Sequence, residues 1–368
     1  MSDVVAIATG MLLAALLGFC TVSLLGLARA WGHFRRSQDE LTATPPDLEQ
    51  ADRQEVAELW DPLAHPLYDL DRSLDVMVPL RQGFVVYGFP KTGNSTLAAT
   101  IGSLDICEFV YGGHHFSEEG VLRLHQAVGN IADPGLRARQ LAYYYASAKF
   151  SRIFQSHVSL RVELRCHGGD LPRPFVVSAV RDPVAILLSG TFFVYSCLKG
   201  DATPPDTRVL RELALGGTGG QAGFYRDLWF KTISGRIDDG TPWHGEMDRW
   251  FDQELGSVFG VDAFAQPFPH ERGWLSLEAD AAHCLILRQE DFDRLPAILE
   301  SFFGLPEGHV EVRAENVAGE RPNAAVYEEL TARFRLPAKL LDEVYGSRYA
   351  RHFYSAEELD AFKARWSE

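Results

Sequence analysis

Lys91 sits inside a turn of glycine and small hydroxyl residues, Gly88-Phe-Pro-Lys-Thr-Gly93, which runs on directly into Asn94, Ser95 and Thr96. A cation set among closely spaced main-chain amides suits an anion, and phosphate is the group that such turns commonly cradle. Two further sets of residues could share that chemistry. Arg181 follows the apolar run PFVVSAV, and Ser189 comes eight positions after it. Arginine's planar fork gives paired, charge-assisted hydrogen bonds to phosphate. His157 ends the segment from Ile153 and lies 24 residues before Arg181, while His114 and His115 form a glycine-flanked pair in YGGHHFS. A neutral imidazole is matched to taking a proton near neutral pH, so each of these histidines is a candidate base.

The flanking elements must bring these groups together. Phe84 to Tyr87 is a short β-branched and aromatic run that predicts a buried strand, and Leu97, Ile101 and Leu104 recur at helical spacing. Ser95 or Thr96 is expected to cap that helix. Ile106 to Tyr111 and Ile153 to His157 read as strands, and Pro174 to Val180 reads as a strand buried on both faces. Pro183 suits a helix start, which places Ser189 on the helix after Arg181. HCLILRQEDF reads as strand then helix, MDRWFDQELGSVFGVDAF begins as an amphipathic helix, and Val121–Ile131 and Leu136–Phe150 look helical. Strands alternating with helices predict an α/β fold with a P-loop-type, mainly parallel sheet flanked by helices. Ligands in such sheets sit beyond the carboxyl ends of the strands, where Lys91, Arg181, Ser189 and His157 would meet.

The glycine spacing is that of a Walker A turn, but Asn94 and Ser95 stand where Lys and Ser/Thr belong, and the lysine lies within the turn. PKTGNSTL instead resembles the 5′-phosphosulfate loop of sulfotransferases, which use 3′-phosphoadenosine-5′-phosphosulfate (PAPS). The Arg-Asp-Pro then Ser spacing of VRDPVAILLS is similar to their second signature. The resemblance implies that Lys91, Thr92, Gly93, Asn94, Ser95 and Thr96 bind the 5′ end of PAPS and that Arg181 and Ser189 hold its 3′-phosphate. Arg321, in a late basic loop, would meet that phosphate too. Lys91 and His157 would be catalytic, since related enzymes carry a histidine at a similar strand end. His114 and His115 remain rivals for the base.

WFDQELGSVFGVD, ENVAGERPNAAVYEEL and LPAKLLDEVYGSRYARHFYSAEELDAFKARW resemble a bacterial capsular polysaccharide synthesis family, a sulfotransferase-like group, so that the likeness runs from Phe84 to Trp366. It implies sulfuryl transfer from PAPS to a hydroxyl of a saccharide, with no metal. A P-loop kinase is the alternative enzyme and a capsule-assembly protein with a vestigial site the non-catalytic one. The HFYS segment, His352 to Ser355, reads either as an aromatic closure of the core or as part of an acceptor site. Glu290 and Asp291 are expected to brace the fold.

Composition bounds the rest. The 368 residues are 46% apolar, ample for a globular core, and a net charge of −15 disfavours nucleic acid. Between Val121 and Arg181, however, nine basic residues face three acidic ones, a local wall compatible with an anionic nucleotide. Val4 to Leu27 carries no charge and is long enough for one transmembrane anchor. It lacks the basic start of a signal peptide. Arg29, Arg35 and Arg36 follow it, which predicts a cytoplasmic catalytic domain, on the side where PAPS is made. The sequon Asn94-Ser95-Thr96 falls inside the phosphate loop, where a glycan would block the site, and this reads as a bacterial rather than a lumenal protein. Five scattered cysteines suggest neither zinc nor a disulfide scaffold. The expected organisation is an anchor over 1–30, a proline-rich acidic linker and capping segment over 31–75, and a catalytic domain over 76–368, with a break at DATPPD and GGTGG as an acceptor-side loop.

Overall fold

The computed structural model describes residues 83–107, 110–117, 119–120, 173–199, 243–315 and 324–368. All of them belong to one compact unit, Gln50–Ser151 with Pro172–Glu368. The anchor, the linker, the strand ending at His157, the helices expected over 121–150, the loops at 201–206 and 216–220, and Arg321 lie outside the described residues. Among the described residues no helix is long and apolar enough to cross a membrane.

Among the described residues the architecture is mixed α/β around five strands: β1 (Phe84–Tyr87), β2 (Val110–Gly113), β3 (Phe175–Val180), β4 (Trp274–Glu278) and β5 (His283–Arg288), in the order β2-β1-β3-β5-β4. Four strands are parallel, with Phe84 opposite both Val110 and Phe175, and Phe175 opposite His283; β4 alone runs antiparallel, on the edge beside β5. The helices are α1 (Asn94–Gly102), α2 (Pro183–Lys199), α3 (Gly245–Trp250), α4 (Leu295–Phe303), α5 (Ala324–Arg333), α6 (Ala338–Tyr345), α7 (Arg348–Phe353) and α8 (Ala356–Trp366). α3 continues through a π-helical turn, Phe251–Gly256, into a last turn that Gly260 ends at φ 67°.

Strand pleating divides the core into two faces. Phe84, Val86, Val177, Ala179, Leu285 and Leu287 pack against Leu97, Ala98 and Ile101 of α1 and Leu295, Ile298 and Leu299 of α4. Tyr87, of the opposite parity, stacks on Phe116 at 4.4 Å and meets Trp250 and Phe259 at 5.1 and 5.7 Å.

Two sequence expectations are corrected. β2 begins at Val110, not Ile106, because the chain after α1 is spent on turns closed by Leu104 N–Ile101 O and Cys107 N–Leu104 O bonds of 3.0 and 2.9 Å, which leave Ile106 exposed. The cap of α1 is Gly93, with no side-chain cap bond, and Ser95 and Thr96 lie within its first turn. β4 was not expected; its run WLSLE is held by pairing with β5 rather than by its own short pattern.

Asp182, buried beyond β3, ties the C-terminal helices to the sheet. Its Oδ1 accepts bonds from Val184 N (3.0 Å) and Tyr345 Oη (2.8 Å), and its Oδ2 accepts one from Trp366 Nε1 (2.8 Å). HFYS closes this region: Phe353 and Tyr354 are buried, Tyr354 Oη donates to Glu290 Oε2 at 3.0 Å, and Ser355 caps α8 in a capping box with Glu358.

Trp366→Phe keeps a ring in the core but removes a donor from a buried carboxylate, so unfolding by urea should show a loss of about 1–3 kcal/mol. Burial raises the Asp182 carboxyl above its ordinary 3.8, so ionisation in the folded state opposes stability as pH rises through that shifted range. With less support for the anion, the variant's deficit should widen over the same rise and narrow in acid.

Candidate functional site

The parallel strands β1, β2, β3 and β5 present their carboxyl ends at one edge, and β1 lies between β2 and β3. The chain leaves β1 to one side and later returns to its other side, the arrangement that opens a ligand crevice. The loop after β1 turns sharply: Lys91 has φ 71°, alone among described non-glycine residues in that region, and Gly93 has φ 99°. A side chain in this left-handed conformation costs roughly 1–2 kcal/mol, so neighbouring bonds must hold it. Thr92, fully buried, donates from Oγ1 to Phe89 O at 2.8 Å, and Asn94 Nδ2 donates to Gly88 O and Phe89 O at 3.1 and 3.2 Å. A Cβ on Gly88 would come within 2.7 Å of Asn94 Oδ1, and one on Gly93 within 2.7 Å of the Phe292 ring. The Thr92 and Asn94 side chains therefore shape the loop. What these two residues can offer an anion is their main-chain amides.

Thr96 Oγ1 accepts from Glu315 N (3.3 Å) and donates to Glu315 O (3.2 Å), while Thr100 Oγ1 accepts from Arg313 N (3.0 Å). Arg313 and Glu315 are thus tied to α1. Ser95 is half-buried on the same first turn.

The two cationic sequence motifs meet. Arg181 Nη1 donates to Lys91 O at 3.0 Å across 90 residues of chain. Lys91 Nζ lies 3.6 Å from the centroid of Phe193 on α2. Ser189 is four residues before Phe193, and so on the same face of α2 one turn earlier. Lys91, Arg181 and Ser189 are brought to one edge of the sheet. His157 and Arg321 lie outside the described residues.

The histidine pair divides its work. His114 Nδ1 is 2.7 Å from Gly88 O, on which Asn94 Nδ2 also converges, so Nδ1 carries the proton and donates. Burial, followed by the charges of His115 and Lys91, holds its pKa down to about 3 against the opposing pull of the Gly88 bond. His115 is fully buried and pairs with Glu254 Oε1 at 3.3 Å. Of the pair, His114 is the one that touches the Lys91 loop.

Glu254 had no sequence signal of its own. From the π-helical turn its Oε2 accepts Phe116 N (3.0 Å), Ser117 N (2.8 Å) and the Tyr87 hydroxyl, and its Oε1 accepts Ser117 Oγ (2.9 Å). Trp250 Nε1 donates to His114 O at 2.7 Å. Together these two side chains fix the loop that follows β2. Glu290 takes the bracing role expected of it, accepting Asp182 N at 2.8 Å as well as the Tyr354 hydroxyl, and Asp291 does so by pairing with Arg288 at 2.5 Å.

Glu254→Ala would leave several buried donors unpaired at about 1–3 kcal/mol each, and thermal unfolding should show a loss of at least about 3 kcal/mol. NMR titration should find His114 neutral well below pH 6.5. Because its folded pKa is lowered, the stability it contributes is present above about pH 6.5 and lost as pH falls toward about 3. His114→Gln should flatten that part of the acid profile.

A family model described as "Putative capsular polysaccharide synthesis protein" matches residues 243–355. No curated protein and no solved structure matches the chain. The matched stretch carries Trp250, Glu254, Glu290 and the HFYS segment, the braces of the site, whereas Lys91, Arg181 and Ser189 lie before it.

Proposed function

We propose that the protein is a sulfotransferase that moves a sulfuryl group from PAPS to a hydroxyl of a saccharide in the making of a capsular or other cell-surface polysaccharide. The reading rests above all on one observation, the 3.0 Å bond from Arg181 to the main chain of Lys91, because it joins the two segments that resemble the two PAPS signatures. The chemistry of the residues at that edge fits the nucleotide: two cations, a serine hydroxyl on the adjoining face of α2, and a helix start with no side-chain cap. The family match over 243–355 supports the polysaccharide side of the proposal. Val4 to Leu27 would anchor the chain, with the catalytic unit in the cytoplasm.

Each residue then has a role. PAPS supplies an activated sulfuryl group on a phosphate leaving group. Lys91 and the amides of Thr92 to Thr96 neutralise charge at the phosphate end, where a preorganised cation and amides act most strongly. Arg181 and Ser189, with Arg321, bind the 3′-phosphate and so fix the nucleotide along the crevice. His157 takes the proton of the acceptor hydroxyl. Asn94 and Thr92 keep Lys91 in its left-handed conformation, and no metal is called for.

Adenosine 3′,5′-bisphosphate should raise the melting temperature of the full-length protein without magnesium, by an amount equivalent to about 2.7 kcal/mol at a hundredfold excess over Kd. ATP with magnesium should do less; equal or greater stabilisation by it would favour a kinase. Labelled sulfate should pass from PAPS to an extracted glycan fraction, and His157→Ala should lower that transfer about 10²- to 10⁴-fold with nucleotide binding retained. Normal turnover in His157→Ala together with its loss in His114→Ala would move the base to β2's loop.

A further inference from the structure

Both main-chain polar groups of Arg181 end on one side chain. Arg181 N donates to Tyr349 Oη at 2.8 Å, and the same hydroxyl donates to Arg181 O at 2.9 Å. The next amide, Asp182 N, donates to Glu290 Oε1 at 2.8 Å. The φ and ψ of Arg181 are therefore set by a tyrosine 168 residues further along the chain, on α7.

We propose that Tyr349 is a positioning residue of the nucleotide site: its hydroxyl fixes the main chain of Arg181 so that the guanidinium is presented at the angle that selects a 3′-phosphorylated adenosine nucleotide. The proposal rests on the PAPS reading above. A guanidinium binds phosphate through a planar pair of N–H groups, so a modest rotation of the residue that carries it costs one of the two bonds. Arg181 lies past the last register pair of β3 with β5, Val180 with Arg288, and its guanidinium is bonded through Nη1 to Lys91 O.

Tyr349 is itself rigid. It is buried, its ring packs on Phe251 and Phe353 with centroids at 6.0 and 5.2 Å, and its amide donates to Asp248 Oδ1 at 2.5 Å. Burial raises the pKa of its hydroxyl, so the proton it donates to Arg181 O is present at any working pH. Glu290 acts on the following residue and Tyr354 acts on Glu290, so neither reaches Arg181 directly. Tyr349 also lies in the stretch 243–355, which gives that stretch a part in nucleotide selection although it contains none of the residues expected to touch the 3′-phosphate except Arg321.

The test is calorimetric titration of the full-length protein with adenosine 3′,5′-bisphosphate and with adenosine 5′-phosphate. Tyr349→Phe keeps the ring and removes only the hydroxyl. It should weaken bisphosphate binding about tenfold or more, as expected for losing one of the two charge-assisted bonds from the guanidinium to the 3′-phosphate, and leave 5′-phosphate binding nearly unchanged. The preference for the 3′-phosphate should fall toward that of Arg181→Ala, and the double variant should be no worse than Arg181→Ala alone. Tyr354→Phe, which removes a buried hydroxyl from Glu290 instead, should lower the melting temperature without changing the preference. Retention of the wild-type preference in Tyr349→Phe, or equal weakening toward both nucleotides, would overturn the proposal while the PAPS reading stands. A wild-type protein that binds neither nucleotide would overturn both.

Discussion

A carboxylate buried at the end of a strand must be met by donors, and Asp182 is the point on which the described fold turns. Its two oxygens collect the first amide of α2, a tyrosine hydroxyl from α6 and the indole of the last helix. Each of these elements is thereby fixed to the carboxyl end of β3. Arg181 is the neighbouring residue, and its own main-chain N–H and C=O are bonded to the Tyr349 hydroxyl of α7. The acid stays costly to ionise despite its partners, because desolvation is the largest influence on it.

Glu254 solves the corresponding problem at β2. The loop His114–Ser117 leaves the sheet with main-chain amides that no ladder satisfies, and one carboxylate on a π-helical turn takes two of them along with two hydroxyls. The wider π turn gives the helix a local departure from regular spacing, and such turns recur at functional sites. The division of labour follows from geometry. The turn after β1 is held by its own Thr92 and Asn94 and by Arg181, whereas the turn after β3 is held by Tyr349 and Glu290, from the stretch matched by the polysaccharide-synthesis family.

The edge is also electrostatically prearranged. Lys91 is kept in a conformation that costs energy, with its main-chain oxygen bonded to Arg181 and its ammonium over the Phe193 ring. Such strain persists only where surrounding bonds over-determine it. His114, beside it, is held neutral by burial and by neighbouring positive charge.

Local chemistry was legible in the sequence. β1, β3 and β5 are short apolar runs, and their strand character follows from residue type. The Lys91 turn is marked by Gly88 and Gly93, and the start of α2 by Pro183, so Ser189 fell on a helix as expected. Where the sequence misled, the deciding interaction lay far along the chain or the pattern was too short. Ile106 is apolar, yet the turns after α1 consume it before β2 can pair with β1. Ser95 is a good capping residue by type, yet Gly93 occupies the cap because the tight loop requires its positive φ. Glu254 reaches partners 137 residues away and Tyr349 reaches Arg181 across 168, distances over which spacing carries no information. Residue type and period decided which elements form and which groups are chemically able; only the tertiary structure decided which buried carboxylates and hydroxyls hold them, because satisfying a buried polar group depends on what folding brings beside it.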